Sequence, residues 1–140
     1  MTKLQAYTMI KGSCLCGSVT FKVEGKFDNF FLCHCSYCKK DTGSAHAANL
    51  FTKSGSLIWL SGIKYVTTFS LESTRHVKSF CSQCGSAVPT VSPDAGVCVV
   101  PAGSLDDELD FMPEAHIFTK SNAKWEEKLS ELKRFKELPK

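Results

Sequence analysis

Seven of the eight cysteines stand in three tight clusters: Cys14-x-Cys16, Cys33-x-Cys35-x2-Cys38 and Cys81-x2-Cys84. Thiolates at such spacings grip a metal ion, and zinc is the usual one. A structural zinc takes four protein ligands. A zinc that does chemistry takes three and keeps one position open. Seven divides into four and three, which predicts one closed site and one open one. The open one is where a reaction can occur.

Cys14 and Cys16 are two residues apart, so on an extended chain both side chains face the same way. Gly12 and Gly17 flank them and allow tight bends. Cys81-x2-Cys84-Gly85 has the spacing of a zinc knuckle, with the glycine relieving the turn. Pairing the first cluster with the third gives four thiolates that clip the N-terminal strands to the middle of the chain. Cys33, Cys35 and Cys38 are left to hold a second zinc. Three thiolates on zinc leave a fourth position for water or substrate, where an external thiol is deprotonated. Lys39 and Lys40 follow directly and add positive potential for a carboxylate-bearing ligand, their plainer role being solvated surface. Ser36, Tyr37 and Thr42 are nearby hydrogen-bond donors for a developing alkoxide. Other partitions stay open at this point. Cys33 and Cys35 could join Cys81 and Cys84, leaving Cys14, Cys16 and Cys38. His34, His46, His76 or His116 could fill a fourth position, although packing or exposure is the ordinary fate of each. Cys98 lies in an apolar run and reads as an inert buried thiol.

Short β-like segments must position these thiols. Val19, Phe21 and Val23 alternate with Ser18, Thr20 and Lys22 as a half-buried strand does. Further strands are predicted at 30–35, 45–51, 57–60, 65–69, 77–81, 97–100 and 114–118, between glycine- and serine-rich turns. They predict a mainly β fold, a small single domain over residues 1–140 built of packed antiparallel sheets. A helical turn is expected over 39–42, ending at Gly43, with its N-terminus toward the three-cysteine cluster. Trp125, Leu129, Leu132 and Phe135 recur at helical spacing and predict a C-terminal helix docked on the domain.

With 140 residues, 43% of them hydrophobic and 22% charged, the chain is long enough to bury a sizeable core. No apolar run approaches the ~20 residues that span a bilayer. The opening MTKLQAYTMIKGS lacks the apolar region of a signal peptide. A soluble cytoplasmic protein is expected, without membrane association. In that reducing compartment clustered thiols bind metal rather than form disulfides. The formal charge of +3 is mild and the basic residues are scattered, which argues against a nucleic-acid partner.

The chain resembles the glutathione-dependent formaldehyde-activating enzyme family, which also includes centromere protein V. The carrying segments are GSCLCGSVTF at 12–21, CHCSYCKKDTGSA at 33–45, FCSQCGS at 80–86, AGSLDD at 102–107 and HIF at 116–118, with Trp125 after them. The resemblance implies a tent-like arrangement of β-sheets. It also implies a structural zinc on Cys14, Cys16, Cys81 and Cys84, and a weaker, catalytic zinc on Cys33, Cys35 and Cys38. The implied activity is reversible addition of glutathione to formaldehyde, giving S-(hydroxymethyl)glutathione, a carbon–sulfur lyase reaction. Two departures bear on substrate choice. The family often has arginine where Lys39 and Lys40 stand, and an apolar or aromatic residue in place of His46. Two rival functions are a non-catalytic zinc module that binds a partner, and a thiol redox sensor built on the second cluster.

Overall fold

Apolar–polar alternation is resolved into three small sheets in the computed structural model, which describes residues 6–92 and 95–140. Residues 1–5 of the N-terminal stretch read above lie outside these. The first sheet joins β1 (Tyr7–Ser13), β2 (Thr20–Lys26) and β5 (Ser56–Ser61), antiparallel and in that order. The second contains β3 (Asn29–Cys33), β4 (Ala47–Thr52), β9 (Thr90–Val91), β10 (Cys98–Pro101) and β11 (Ala115–Ile117), ordered β11-β3-β4-β10-β9. The third is an antiparallel set of β6 (Val66–Ser70), β7 (Val77–Cys81) and β8 (Ala87–Val88). The result is a mainly β, small single domain. Among the described residues, no helix is long and apolar enough to cross a membrane.

One edge departs from the expected antiparallel pairing. β11 runs parallel to β3. A parallel neighbour needs a long connection, and the segment between β10 and β11 supplies it by crossing to the first sheet. There Asp106 N–H donates to the Lys11 carbonyl at 2.9 Å, and the Ser13 hydroxyl donates to the Asp106 carboxylate at 2.8 Å. The Lys11 N–H donates to Asp107 Oδ2 at 2.8 Å. The AGSLDD segment is thus a brace on the strand that leads into Cys14.

Ile10, Phe21, Val23, Phe27, Phe30, Leu50, Cys98 and Val100 form the main core. Burying each large side chain contributes about 1.5–3 kcal/mol. Gly12 serves close approach rather than a bend: a Cβ there would fall 2.2 Å from the Phe21 ring. The thiol clusters have their own buried patches. Cys14 and Cys81 pack with Val19 and Val88, and Cys33 and Cys38 pack with Ala47.

Two helical expectations change. The turn expected over 39–42 is a helix, α1, that begins earlier and spans Ser36–Thr42. Cys35 caps it, its sulfur accepting from Cys38 N–H, and Gly43 ends it in the left-handed region at φ 66°. Cys38 therefore sits inside the helix. At the C-terminus, 3-10 turns at Lys124–Glu126 and Leu129–Glu131 stand where a docked helix was expected. Trp125, Leu129, Leu132 and Phe135 are all exposed. A short helix in water needs a packed apolar face to persist, and this stripe has no surface to pack on.

Candidate metal centre

Two groups of thiols converge: Cys14, Cys16, Cys81 and Cys84 in one, Cys33, Cys35 and Cys38 in the other. Within each, the sulfur atoms all lie within 4.8 Å of one another. All eight cysteines are free thiols. Among the described residues no further set of three or more His, Cys, Asp or Glu side chains converges in this way.

Local backbone geometry builds the four-thiol group. Gly17 N–H bonds to the Cys14 carbonyl at 3.1 Å, and Gly85 N–H to the Cys81 carbonyl at 2.6 Å. Both glycines take positive φ, 82° and 77°, which other residues resist. Backbone donors point at sulfur, among them Val19 N–H to Cys14 Sγ at 3.3 Å and Gln83 N–H to Cys81 Sγ at 3.4 Å. Four thiolates on a tetrahedral zinc at ~2.3 Å stand ~3.8 Å apart. Here Cys14 and Cys16 sulfurs are 3.6 Å apart, and those of Cys16 and Cys81 are 4.0 Å apart. The Ser18 hydroxyl lowers the Cys16 thiol, and the Ser86 and Cys16 backbone N–H groups hold Cys84 down to about 6. Burial pushes Cys81 up to about 11. A cation among the four lets all ionise together, so these residues fit zinc.

The three-thiol group is assembled at one junction. Cys33 ends β3, Cys35 caps α1, and Cys38 lies in its first turn, with Cys38 N–H 3.3 Å from Cys35 Sγ. Burial raises the Cys33 and Cys38 thiols, most strongly at Cys38. Burial also opposes ionisation at Cys35, but the Cys38 backbone N–H and the neighbouring thiols outweigh it and lower that group. Three such thiols become thiolates together only with a cation between them, so this set fits a metal ion too.

The second group opens on a cavity of about 720 Å³ between the second and third sheets, a size that suits a small molecule. Cys33 and Cys38 line it, whereas none of the four thiols of the first group does. Tyr37 and Thr42 line it as well, and Ser36 does not. The Thr42 hydroxyl is committed to the Cys38 carbonyl at 2.8 Å. Lys39 Nζ donates to the Ser121 carbonyl at 2.5 Å, and Lys40 is exposed. Neither lysine is among the lining residues. The cations that do line the cavity are Arg75 and Lys78, with His76 beside them.

Two side-chain networks escaped sequence reasoning, and the first of them lines the cavity. Asp41 of α1 binds His76 Nε2 at 2.8 Å and Lys78 Nζ at 2.8 Å, tying the helix to β7 and the turn before it. The other lies behind the three-thiol group. His34 is buried, with Nε2 2.8 Å from His116 Nδ1 and Nδ1 2.7 Å from Glu126 Oε1. The His46 ring is 5.2 Å from that of His34, and its pKa is lowered by burial and by His34. The one sequence signal was the position of His34, between two clustered cysteines and so facing away from them. Its partners are 82 or more residues distant and gave no local sign.

Three comparisons with known proteins bear on this site. A family model described as glutathione-dependent formaldehyde-activating enzyme matches residues 9–121. A protein of Halomonas elongata that carries that enzyme name in provisional form is 30% identical over 127 residues, covering 85% of this chain and 80% of that protein. A crystal structure of a Rhodobacter sphaeroides protein matches with a TM-score of 0.58 at 23% identity, covering 76% of this chain and 99% of that one. At that identity the structural likeness speaks for the fold alone.

Proposed function

Because the chain belongs to the glutathione-dependent formaldehyde-activating enzyme family, we propose that it is a zinc-dependent carbon–sulfur lyase acting on a thiol and a small aldehyde. The thiol is glutathione or one like it, the aldehyde formaldehyde or a close analogue, and the product S-(hydroxymethyl)glutathione. Residues 1–140 form a single domain of this type. Cys14, Cys16, Cys81 and Cys84 hold a structural zinc, and Cys33, Cys35 and Cys38 a catalytic one.

The observation that carries this reading is the difference between the thiol groups: only the three-thiol group lines a cavity of about 720 Å³. When bound there, zinc supplies a Lewis acid that lowers the pKa of a coordinated thiol. The chain's residues do the rest. Phe51, Val88, Val99 and Ile117 line the cavity with apolar surface and limit water around the reacting atoms. In the reaction the thiol sulfur bonds to the aldehyde carbon, and the carbonyl oxygen takes up the proton that the thiol gives up. Tyr37 lines the cavity beside Cys38 and offers its hydroxyl to that oxygen. Lys39 and Lys40, on α1, contribute positive potential from outside the cavity.

Zinc-loaded protein is expected to accelerate exchange between formaldehyde and S-(hydroxymethyl)glutathione, followed by NMR, with saturation in glutathione. Cys35→Ser should abolish the acceleration and lower zinc content from two equivalents to one. Exchange no faster than the spontaneous reaction, with both sites loaded, would overturn the reading.

A further inference from the structure

The geometry points to Arg75 as the residue that binds a carboxylate of the thiol substrate. The cavity would thus select thiols that carry a carboxylate apart from the sulfur, an inference that rests on the reaction proposed at Cys33, Cys35 and Cys38. Among the described residues, four charged or titratable side chains besides the cysteines and Tyr37 line the cavity: Asp41, Arg75, His76 and Lys78. Three of them satisfy one another. Asp41 Oδ2 meets His76 and Asp41 Oδ1 meets Lys78, each at 2.8 Å, and Lys78 Nζ also donates to the Asp41 carbonyl at 2.9 Å. Arg75 is left over. Among the described residues its guanidinium has neither a hydrogen bond nor an ion pair.

A guanidinium stays charged at any working pH, and its forked N–H donors match the two oxygens of a carboxylate. Apolar side chains line much of the rest of the cavity, Phe51, Val77, Val88 and Val99 among them. They offer a carboxylate no counter-charge. Thiolates at the three-cysteine end repel it. Among the described residues of this lining, Arg75 is the cation free to receive it.

The position of Arg75 is also fixed relative to the thiols. Its turn is held by Leu71 N–H to the His76 carbonyl at 3.0 Å and by the Thr74 hydroxyl to the Leu71 carbonyl at 2.8 Å. His76, the next residue, is pinned by Asp41 to the helix that carries Cys38. Asp41 is therefore a positioning residue. Through it, one short helix sets both the sulfur end and the carboxylate end of the cavity.

The test uses the zinc-loaded full chain as wild type, Arg75→Gln and Arg75→Lys. Arg75 is exposed on a turn and without a partner among the described residues, so both variants should keep their two zinc equivalents and melting temperature. Two readouts are needed. One is kcat/KM for glutathione relative to 2-mercaptoethanol, which has no carboxylate. The other is the Kd of S-methylglutathione, which has carboxylates but no free thiol. Arg75→Gln should lower the preference for glutathione, and weaken S-methylglutathione, by about 10- to 100-fold. The loss should appear in KM more than in kcat, and Arg75→Lys should fall between. Glutathione preference and S-methylglutathione affinity unchanged in Arg75→Gln, with wild type active, overturns the role of Arg75 and leaves the proposed reaction standing. Binding of S-methylglutathione that depends on Arg75, with no turnover of any thiol, overturns the reaction and supports the recognition. Neither binding nor turnover by wild type overturns both.

Discussion

Cys98 and Cys35 put the same thiol to opposite uses because of what surrounds each. Cys98 is packed in the main core, where burial pushes its pKa up to about 11. At pH 8 only about one such group in 1,000 is ionised. Cys35 has backbone N–H and thiol neighbours that favour its thiolate, and its pKa is lowered despite partial burial. With metal chelated and the fold intact, the thiolate of each cysteine grows as pH rises through its own pKa. Iodoacetamide labelling read by mass spectrometry should therefore modify Cys35 at a lower pH than Cys33 or Cys38. Cys98 should stay unlabelled at pH 8. Labelling of Cys98 in step with Cys35 would show that burial does not govern it.

Local order between elements sets the site. Cys33 and Cys38 are only five positions apart, yet a strand end, a cap and a helical turn each place one of Cys33, Cys35 and Cys38. The reverse holds at the C-terminus, where a stripe with helical spacing remains as 3-10 turns. What anchors that segment is a polar contact, Glu126 against the buried His34. Despite that close approach of 2.7 Å, neither His34 Nδ1 nor the second Glu126 oxygen makes a hydrogen bond of good geometry, so the contact rests on proximity and the carboxylate is already costly to bury. Glu126→Ala should remove the carboxylate that lies against His34 Nδ1 and with it the polar anchor of the segment, lowering stability by about 1 kcal/mol in a denaturant titration. Glu126→Gln should lose less, because it keeps a polar atom at the same place. Equal stability of both variants and the wild type would show that the contact contributes nothing. β1 was unread in the sequence for a related reason. Tyr7 and Met9 point to solvent while Ile10 and Gly12 point inward, which hides the alternation that marks a strand.

Across the whole molecule, a zinc held by the four-thiol group, as proposed, would join the first and third sheets. Cys14 and Cys16 follow β1 of the first sheet, and Cys81 and Cys84 follow from β7 of the third. Cys16 and Cys81 are 65 residues apart in sequence. By the loop-closure relation for a cross-link, a clip over that span is worth on the order of 4 kcal/mol. Cys81→Ser should therefore lower the melting temperature steeply and cost activity as well, since the third sheet walls the cavity. Cys35→Ser should lose one zinc and nearly all activity while melting close to wild type. Thermal melts with metal analysis distinguish the two, and equal melting temperatures would refute the division of labour.

Residue spacing by itself marked the three cysteine clusters, because thiols on one loop or knuckle are neighbours in the chain and their geometry is local; only the tertiary structure brought the first cluster to the third, across 65 residues. Alternation located most strands to within a residue or two, as at Val77–Cys81, for the same local reason. The tertiary structure decided everything that depends on distant residues meeting. It brought Asp41 to His76 across 35 residues, His34 to His116 across 82, and the parallel edge of β11 to β3. It also decided which cations face the cavity, Arg75 and Lys78, with Lys39 engaged at Ser121 outside it. Charge in a sequence has no direction. Only packing turns one guanidinium toward a site and commits another cation elsewhere.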